Sequence, residues 1–237
     1  MAVPSFPRLN ARMVAEFFTS SPRQQRSMLR RYARPPEQQK AAIVMYDPVR
    51  KVLPDYFRAK RDATVLLPVE QRLDEPSKAD SGFIEKRRKA NRNAITHLKQ
   101  MQFNGEFINV KRCRLDIVVQ KVRVKSTVDF SAMFVPANRL KKERCVGVIV
   151  NLSGIPRKAE ADVKKWWEIE CEIAFRAANA NAIELDEVFY VDLSREKIHV
   201  YRKPRNPLWA DIDAICERIL REWREIRIET SSGLAQA

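Results

Sequence analysis

The spacing of apolar residues changes near residue 106, and this change restricts the possible fold more than any other feature of the sequence. Before it, apolar residues recur at helical spacing in short segments that proline begins or ends. After it, segments at 107–110, 115–119 and 122–130 are rich in valine and isoleucine and alternate with a period of two. The chain is therefore predicted to be an α+β protein. We expect a basic helical subdomain at 1–105, a mixed sheet flanked by helices at 106–228, and a disordered tail at 229–237.

The segment at 145–152 is predicted to be the central strand of the sheet. Residues 145–152 are almost all apolar, which is typical of a strand covered on both faces. Helical spacing follows at 159–178, strand patterns at 188–193 and 197–201, and one apolar helical stripe at 210–226. The predicted order is helices and then ββ(β)βαββα.

An acidic residue, Asp129, closes the alternating run at 122–129, and the apolar strand follows after a basic loop. This order of elements resembles the core of the PD-(D/E)XK nuclease superfamily, and is most similar to RecB-like members with a helical segment ahead of the sheet. The resemblance covers roughly residues 110–226. It implies a restriction-endonuclease-like core in which carboxylates bind Mg²⁺ and activate a water for phosphodiester hydrolysis.

The resemblance assigns Asp129 to the family's first acidic position, which would make it a metal ligand if the site is active. In the family, a Glu-x-Lys pair follows on the next strand. By strand phase, Asn151 stands at the position of the Glu and Ser153 at that of the Lys. An amide oxygen is a weaker ligand than a carboxylate and serine carries no charge, so these two residues are expected to abolish catalysis. Glu170, on the following helix, could replace the missing carboxylate, or it could pair with an arginine.

The charge balance favours a polyanionic partner. Lys and Arg total 45 against 30 Asp and Glu, a net charge of +15, and the isoelectric point is near 9.9. Basic side chains displace condensed counterions from a phosphate backbone, so DNA or RNA is the expected partner. A solvated basic surface without a specific partner is the alternative.

Three basic clusters are candidate nucleic-acid contacts. The cluster at 85–92 could equally be a solvated helix face, and the loop at 139–144, predicted to be a hairpin tip beside the candidate site, could instead limit aggregation between strands. The candidate residues are Arg30 and Arg31 in the first cluster, Lys86, Arg87, Arg88, Lys89 and Arg92 in the second, and Arg139, Lys141, Lys142 and Arg144 in the loop.

Several classes of site are not expected. Four cysteines without close pairing and only two histidines argue against a zinc site, and five glycines against a phosphate-cradling loop or any small-molecule cofactor. Residues 1–10 lack the apolar core of a secretory signal, and no apolar run is long enough for a membrane span. A cytoplasmic, reduced protein is expected.

Three functions remain open. The first is a nucleic-acid-binding or accessory protein with a nuclease-like fold and an inactive metal site. The second is a Mg²⁺-dependent DNA or RNA nuclease with a relocated acidic residue. The third is a protein-interaction subunit that binds an acidic partner.

Overall fold

A computed structural model of the protein describes residues 5–33, 45–75, 82–138, 140–152 and 160–231. Helical spacing after Pro36 predicts a further helix through Ala42, Ile43 and Met45, and most of this segment lies outside these ranges. So do the candidate residues Arg139 and Ser153.

Where the structure describes it, the chain before the main sheet forms helices and one short strand. Asn10 begins the first helix, because its side chain accepts a hydrogen bond from the Met13 N–H at 2.8 Å and so satisfies one of the free donors of the first turn. Proline occupies the first turn of three of the helices, where its missing N–H costs nothing. The elements are β1 (Arg8–Asn10), α1 (Ala11–Phe18), α2 (Pro22–Ala33), α3 (Asp47–Arg58), a 3₁₀ turn (Ala63–Leu66), α4 (Leu67–Asp74) and α5 (Gly82–Gln100).

The described residues of the second half form seven strands and two long helices. They are β2 (Gly105–Arg112), β3 (Asp116–Val119), β4 (Val122–Lys125), β5 (Phe130–Pro136), β6 (Arg144–Asn151), α6 (Glu160–Ala180), β7 (Glu187–Asp192), β8 (Lys197–Tyr201) and α7 (Asn206–Ser231).

The main sheet has five strands in the order β2-β5-β6-β7-β8. Strands β6 and β7 are parallel and are connected through α6, whereas the other neighbours are antiparallel. Strand β6 is central, and its last six residues are all buried, which confirms the prediction for the apolar run at 145–152. A smaller sheet has the order β1-β4-β3.

The prediction of a single strand at 122–130 is wrong. Strand β4 ends at Lys125 in the small sheet, and the Ser126 N–H still donates to the Leu115 carbonyl at 2.8 Å. Three residues later the Asp129 N–H donates to the Val148 carbonyl of the main sheet at 2.8 Å. The alternation continues through this crossing, so the sequence pattern conceals the change of sheet. Asp129 therefore precedes β5 instead of closing a strand.

Two hydrophobic cores cover opposite faces of the main sheet, because Ile149 contributes to one core and its neighbours Val148 and Val150 to the other. The first core joins residues of α1, α2, α6 and α7, and the second joins residues of α3, α4 and α5. In the second, Phe107 packs its ring against Phe57 at 5.2 Å between centroids. Residue 105 therefore marks the change from helices to strands. Each of the two cores contains residues from before and after it.

The last helix extends beyond the predicted limit at residue 228, because α7 continues to Ser231. Its last turns are held by α2, since Arg26 and Arg30 both pair with Glu229, at 2.6 and 3.0 Å.

Candidate nucleic-acid interface

Three polar residues meet at one edge of the main sheet. Asn151 ends β6 and Asp192 ends β7, and the two are paired in the parallel register. Asp129 lies at the same edge, because β5 runs antiparallel to β6 and begins there. Ligands of α/β proteins commonly bind outside the carboxyl ends of parallel strands. This edge of the sheet is therefore the candidate binding site.

Asp129 is almost fully buried and is held by an arginine. Its side chain is only 4% exposed, and its Oδ1 accepts a hydrogen bond from Arg50 Nη1 at 3.0 Å. Its Oδ2 accepts from the Val150 N–H at 2.8 Å. Burial raises the pKa of this carboxyl, and the Arg50 charge and the Val150 N–H oppose that rise. Both carboxylate oxygens are therefore already engaged.

Asn151 is engaged in the same way by a second arginine. Arg12 Nη1, from α1, donates to Asn151 Oδ1 at 2.9 Å. The Arg12 guanidinium also lies 5.5 Å from the centroid of the Trp166 ring, a cation–π distance. In a metal site, Asn151 Oδ1 would have to take the place of a carboxylate oxygen. Here it instead accepts a hydrogen bond from the Arg12 guanidinium.

Glu170 reaches this edge from α6, as a relocated acidic residue would. It is buried, and its Oε2 accepts from the Thr127 hydroxyl at 2.7 Å. Its Oε1 and the buried Tyr190 hydroxyl have no hydrogen-bond partner among the described residues. Burial raises the Glu170 pKa. Arg12 and Arg50 oppose that rise and Asp129 adds to it, so all four groups lie within electrostatic range.

This arrangement does not fit a divalent cation as it stands. A Mg²⁺ ion between Asp129 and Glu170 would have to displace the Arg50 guanidinium and would face Arg12 as well. Within the described ranges there is no group of three or more histidine, cysteine or acidic side chains that could hold a metal ion. Asp129 and Glu170 face the guanidiniums of Arg12 and Arg50. The third buried carboxylate of this edge, Asp192, pairs with Arg195 at 3.0 Å, so the charge of the edge is already balanced.

A cavity of about 370 Å³ opens beside this cluster. Leu152, which follows Asn151, forms part of its wall. Tyr46 forms another part, one helical turn before Arg50, whose N–H donates to the Tyr46 carbonyl at 2.9 Å. Burial raises the Tyr46 pKa and the nearby Arg12 charge lowers it, which places Arg12 close to this wall. The remaining described lining residues are Lys86, Lys89, Ala90, Asn93, Ala94, His97, Leu193 and Ser194.

The basic residues of α5 divide between two faces of the helix. Lys86 and Lys89 are exposed, three residues apart, and line the cavity. Arg88 and Arg92 face α4, where Arg88 donates to the Glu75 carbonyl and Arg92 donates to the Leu73 carbonyl at 3.2 Å. The Nε of half-buried Arg87 is enclosed without a partner among the described residues. The structure thus brings only Lys86 and Lys89 of this predicted cluster to the site.

The predicted cluster on α2 is partly occupied by protein contacts. Arg30 pairs with Glu229, and the Arg31 guanidinium lies 5.3 Å from the centroid of the Tyr32 ring. Neither residue is among those that line the cavity. Arg31 stays exposed.

Residues 140–144, the described part of the predicted loop, do not lie beside the candidate site, contrary to the sequence expectation. The loop connects β5 to β6 at the end of the strands opposite Asp129, and the seven residues of β5 span roughly 20 Å. Lys141 and Lys142 are exposed there, whereas Arg144 pairs with the buried Glu187. The expectation failed because Asp129 precedes β5, so the whole strand separates it from the loop.

Sequence reasoning did not identify Arg12, Arg50 or Tyr46 as site residues. Arg12 and Arg50 lie in short helices that read as core-packing segments, and they are 139 and 79 residues from their partners. The sequence signal for Arg12 and Arg50 was limited to a positive charge within a short helix whose other residues are largely apolar.

No protein-family model matches the chain, and no curated protein sequence matches it either. Within the described ranges, every helix is too short or too polar to cross a membrane.

Proposed function

We propose that the protein binds nucleic acid at the sheet edge around Asp129 and Asn151 and does not cleave it, acting as a binding or accessory subunit. The fold it uses is proposed to be a nuclease-like core with a metal site that has been lost. The observation that carries this proposal is the pairing of Arg50 with Asp129 and of Arg12 with Asn151, next to a cavity lined by two lysines.

Electrostatics supports binding at this edge. The two arginines offset the buried carboxylates, so the surrounding positive charge is not cancelled by acidic groups of the site. Lys86 and Lys89 are exposed, and no ion pair is found for either within the described part of the chain. Exposed, unpaired lysines are the side chains that release counterions when they contact phosphates.

The topology supports the nuclease-like assignment. Two antiparallel pairings, β2 with β5 and β5 with β6, are followed by a helical connection to the parallel strand β7. Asp129 and Asn151 lie at the same edge of adjacent strands, as the family resemblance implies.

The test is fluorescence anisotropy with short single- and double-stranded DNA and RNA at increasing salt. Two phosphate contacts to a single strand would lower affinity roughly sevenfold between about 50 and about 200 mM salt, and further contacts would lower it more. Salt-independent affinity would rule out phosphate contacts and would leave an acidic protein partner as the better hypothesis.

A Mg²⁺-dependent nuclease is the second candidate, because Glu170 reaches the same edge as Asp129 and its pKa responds to the Asp129 charge. Incubation of the same substrates with Mg²⁺ or Mn²⁺ tests it. Cleavage that both Asp129→Ala and Glu170→Gln abolish would establish the nuclease. Intact substrate with binding retained in Asp129→Ala supports the first proposal.

A further inference from the structure

The cavity beside the carboxylate–arginine cluster has the size of a single nucleotide. Its volume of about 370 Å³ lies near the lower limit for small-molecule pockets, which range from roughly 300 to 1,000 Å³. A double helix, whose major groove alone is about 12 Å wide, is too large for such a space. Among the parts of a nucleic acid, a single nucleotide matches it in size.

The charges of the cavity suit a phosphate with two negative charges. Lys86 and Lys89 lie three residues apart on one face of α5, so both ammonium groups reach the same opening. No acidic residue is among its described lining residues. A terminal phosphomonoester carries a charge of about −1.5 to −2 at neutral pH, whereas an internal phosphodiester carries −1. Two adjacent lysines therefore favour a strand terminus over the middle of a strand.

The rest of the lining suits a base and a sugar. Ala90, Ala94 and Leu193 provide an apolar wall, and the half-buried Tyr46 phenol provides an aromatic surface for stacking. Asn93 has both a donor and an acceptor for a base or sugar edge.

We infer that this cavity binds the phosphorylated terminal nucleotide of a nucleic-acid strand, with Lys86 and Lys89 contacting the terminal phosphate. This inference rests on the proposed nucleic-acid binding and specifies which part of the ligand the site takes. The exposed guanidinium of Arg50 lies one helical turn beyond Tyr46, so a third cation is present near the two lysines.

The experiment compares single strands of one sequence in four forms: 5′-phosphorylated, 3′-phosphorylated, without a terminal phosphate, and covalently circular. Affinities are measured by anisotropy or filter binding at one salt concentration. We expect one phosphorylated form to bind at least about fivefold more tightly than the unphosphorylated and circular forms, because exposed charge-assisted contacts are weak individually. Lys86→Gln/Lys89→Gln is expected to abolish that preference, whereas Lys86→Arg/Lys89→Arg retains it.

Lys141→Gln/Lys142→Gln is the matched control, since it removes the same charge from the opposite end of the sheet and should keep the preference. Salt-dependent binding of all four forms with equal affinity would refute the terminal-nucleotide site while leaving the proposed function intact. A preference that persists in Lys86→Gln/Lys89→Gln would place the site elsewhere and also refute the inference. A lysine-dependent binding of a mononucleotide, without any preference among the strands, would assign the cavity to free nucleotides and overturn the strand-end assignment.

Discussion

Replacing Arg50 by alanine tests whether the arginine really compensates a buried acidic group. The substitution leaves Asp129, whose side chain is 4% exposed, with the Val150 N–H as its remaining described hydrogen-bond donor. At the observed 3.0 Å, the pair energy is about 1 kcal/mol for an effective dielectric constant of about 80 and about 5 kcal/mol for one of about 20. Because the Arg50 side chain is 42% exposed, solvent screening favours the lower part of this range, about 1–2 kcal/mol.

Thermal unfolding followed by circular dichroism measures this cost. A loss of about 1–2 kcal/mol corresponds to a Tm decrease of roughly 2–8 °C for a chain of this length. The cost should shrink in acid, because burial already raises the Asp129 pKa and a protonated Asp129 no longer needs the cation. The double substitution Arg50→Ala/Asp129→Asn should avoid most of this stability loss, because position 129 then carries no charge that needs the arginine.

Lys51→Ala is the control, since Lys51 is on the same helix, is 72% exposed and only approaches Asp47 at 3.9 Å. It should change stability by less than about 0.5 kcal/mol. If Arg50→Ala costs no more than Lys51→Ala, or if its cost is unchanged by Asp129→Asn, then Arg50 does not compensate Asp129 and the electrostatic account of the site is wrong.

Three further outcomes are expected. Glu170→Gln should gain stability relative to the wild type as pH rises above about 4.5, because a carboxyl with a raised folded-state pKa loses its contribution in that direction. Urea unfolding of both proteins at several pH values measures this, and a stability difference that does not change with pH would contradict it. Phe107→Ala should lower the free energy of unfolding by roughly 3–5 kcal/mol, because it removes a buried ring at the centre of an aromatic cluster, and a loss below about 1 kcal/mol in denaturant titration would contradict that packing. Arg30→Gln and Arg92→Gln should leave nucleic-acid affinity within about twofold in anisotropy, because both arginines are paired with protein groups; a tenfold loss would move the interface to those helices.

The second half of the fold was largely readable from the sequence. The spacing of apolar residues within each segment was enough to predict strand β6, helix α6 and strands β7 and β8. The structure places all four close to the predicted bounds. Between 122 and 136 the same signal misled, because valine alternation continues from β4 of the small sheet towards β5 of the main sheet. Period alone does not report which sheet a strand joins.

The candidate site was only half readable. The family resemblance pointed to Asp129 and, by strand phase, to Asn151, and helix phase pointed to Glu170. Their partners Arg12 and Arg50 come from helices far away in sequence, and only the tertiary fold brings them to the carboxylates. The basic clusters show the same limit, since the sequence could not tell Lys89, which lines the cavity, from Arg92, which is bound to α4.

The salt dependence of nucleic-acid affinity, compared between the wild type and Lys86→Gln/Lys89→Gln, tests the central claim most directly. If both lysines contact phosphates, the slope of log K against log salt should become shallower by roughly 1.4 for a single strand, which is about 0.7 for each contact. Equal slopes for the two proteins, or an affinity of the wild type that does not change with salt, would contradict the claim that this edge of the sheet binds nucleic acid.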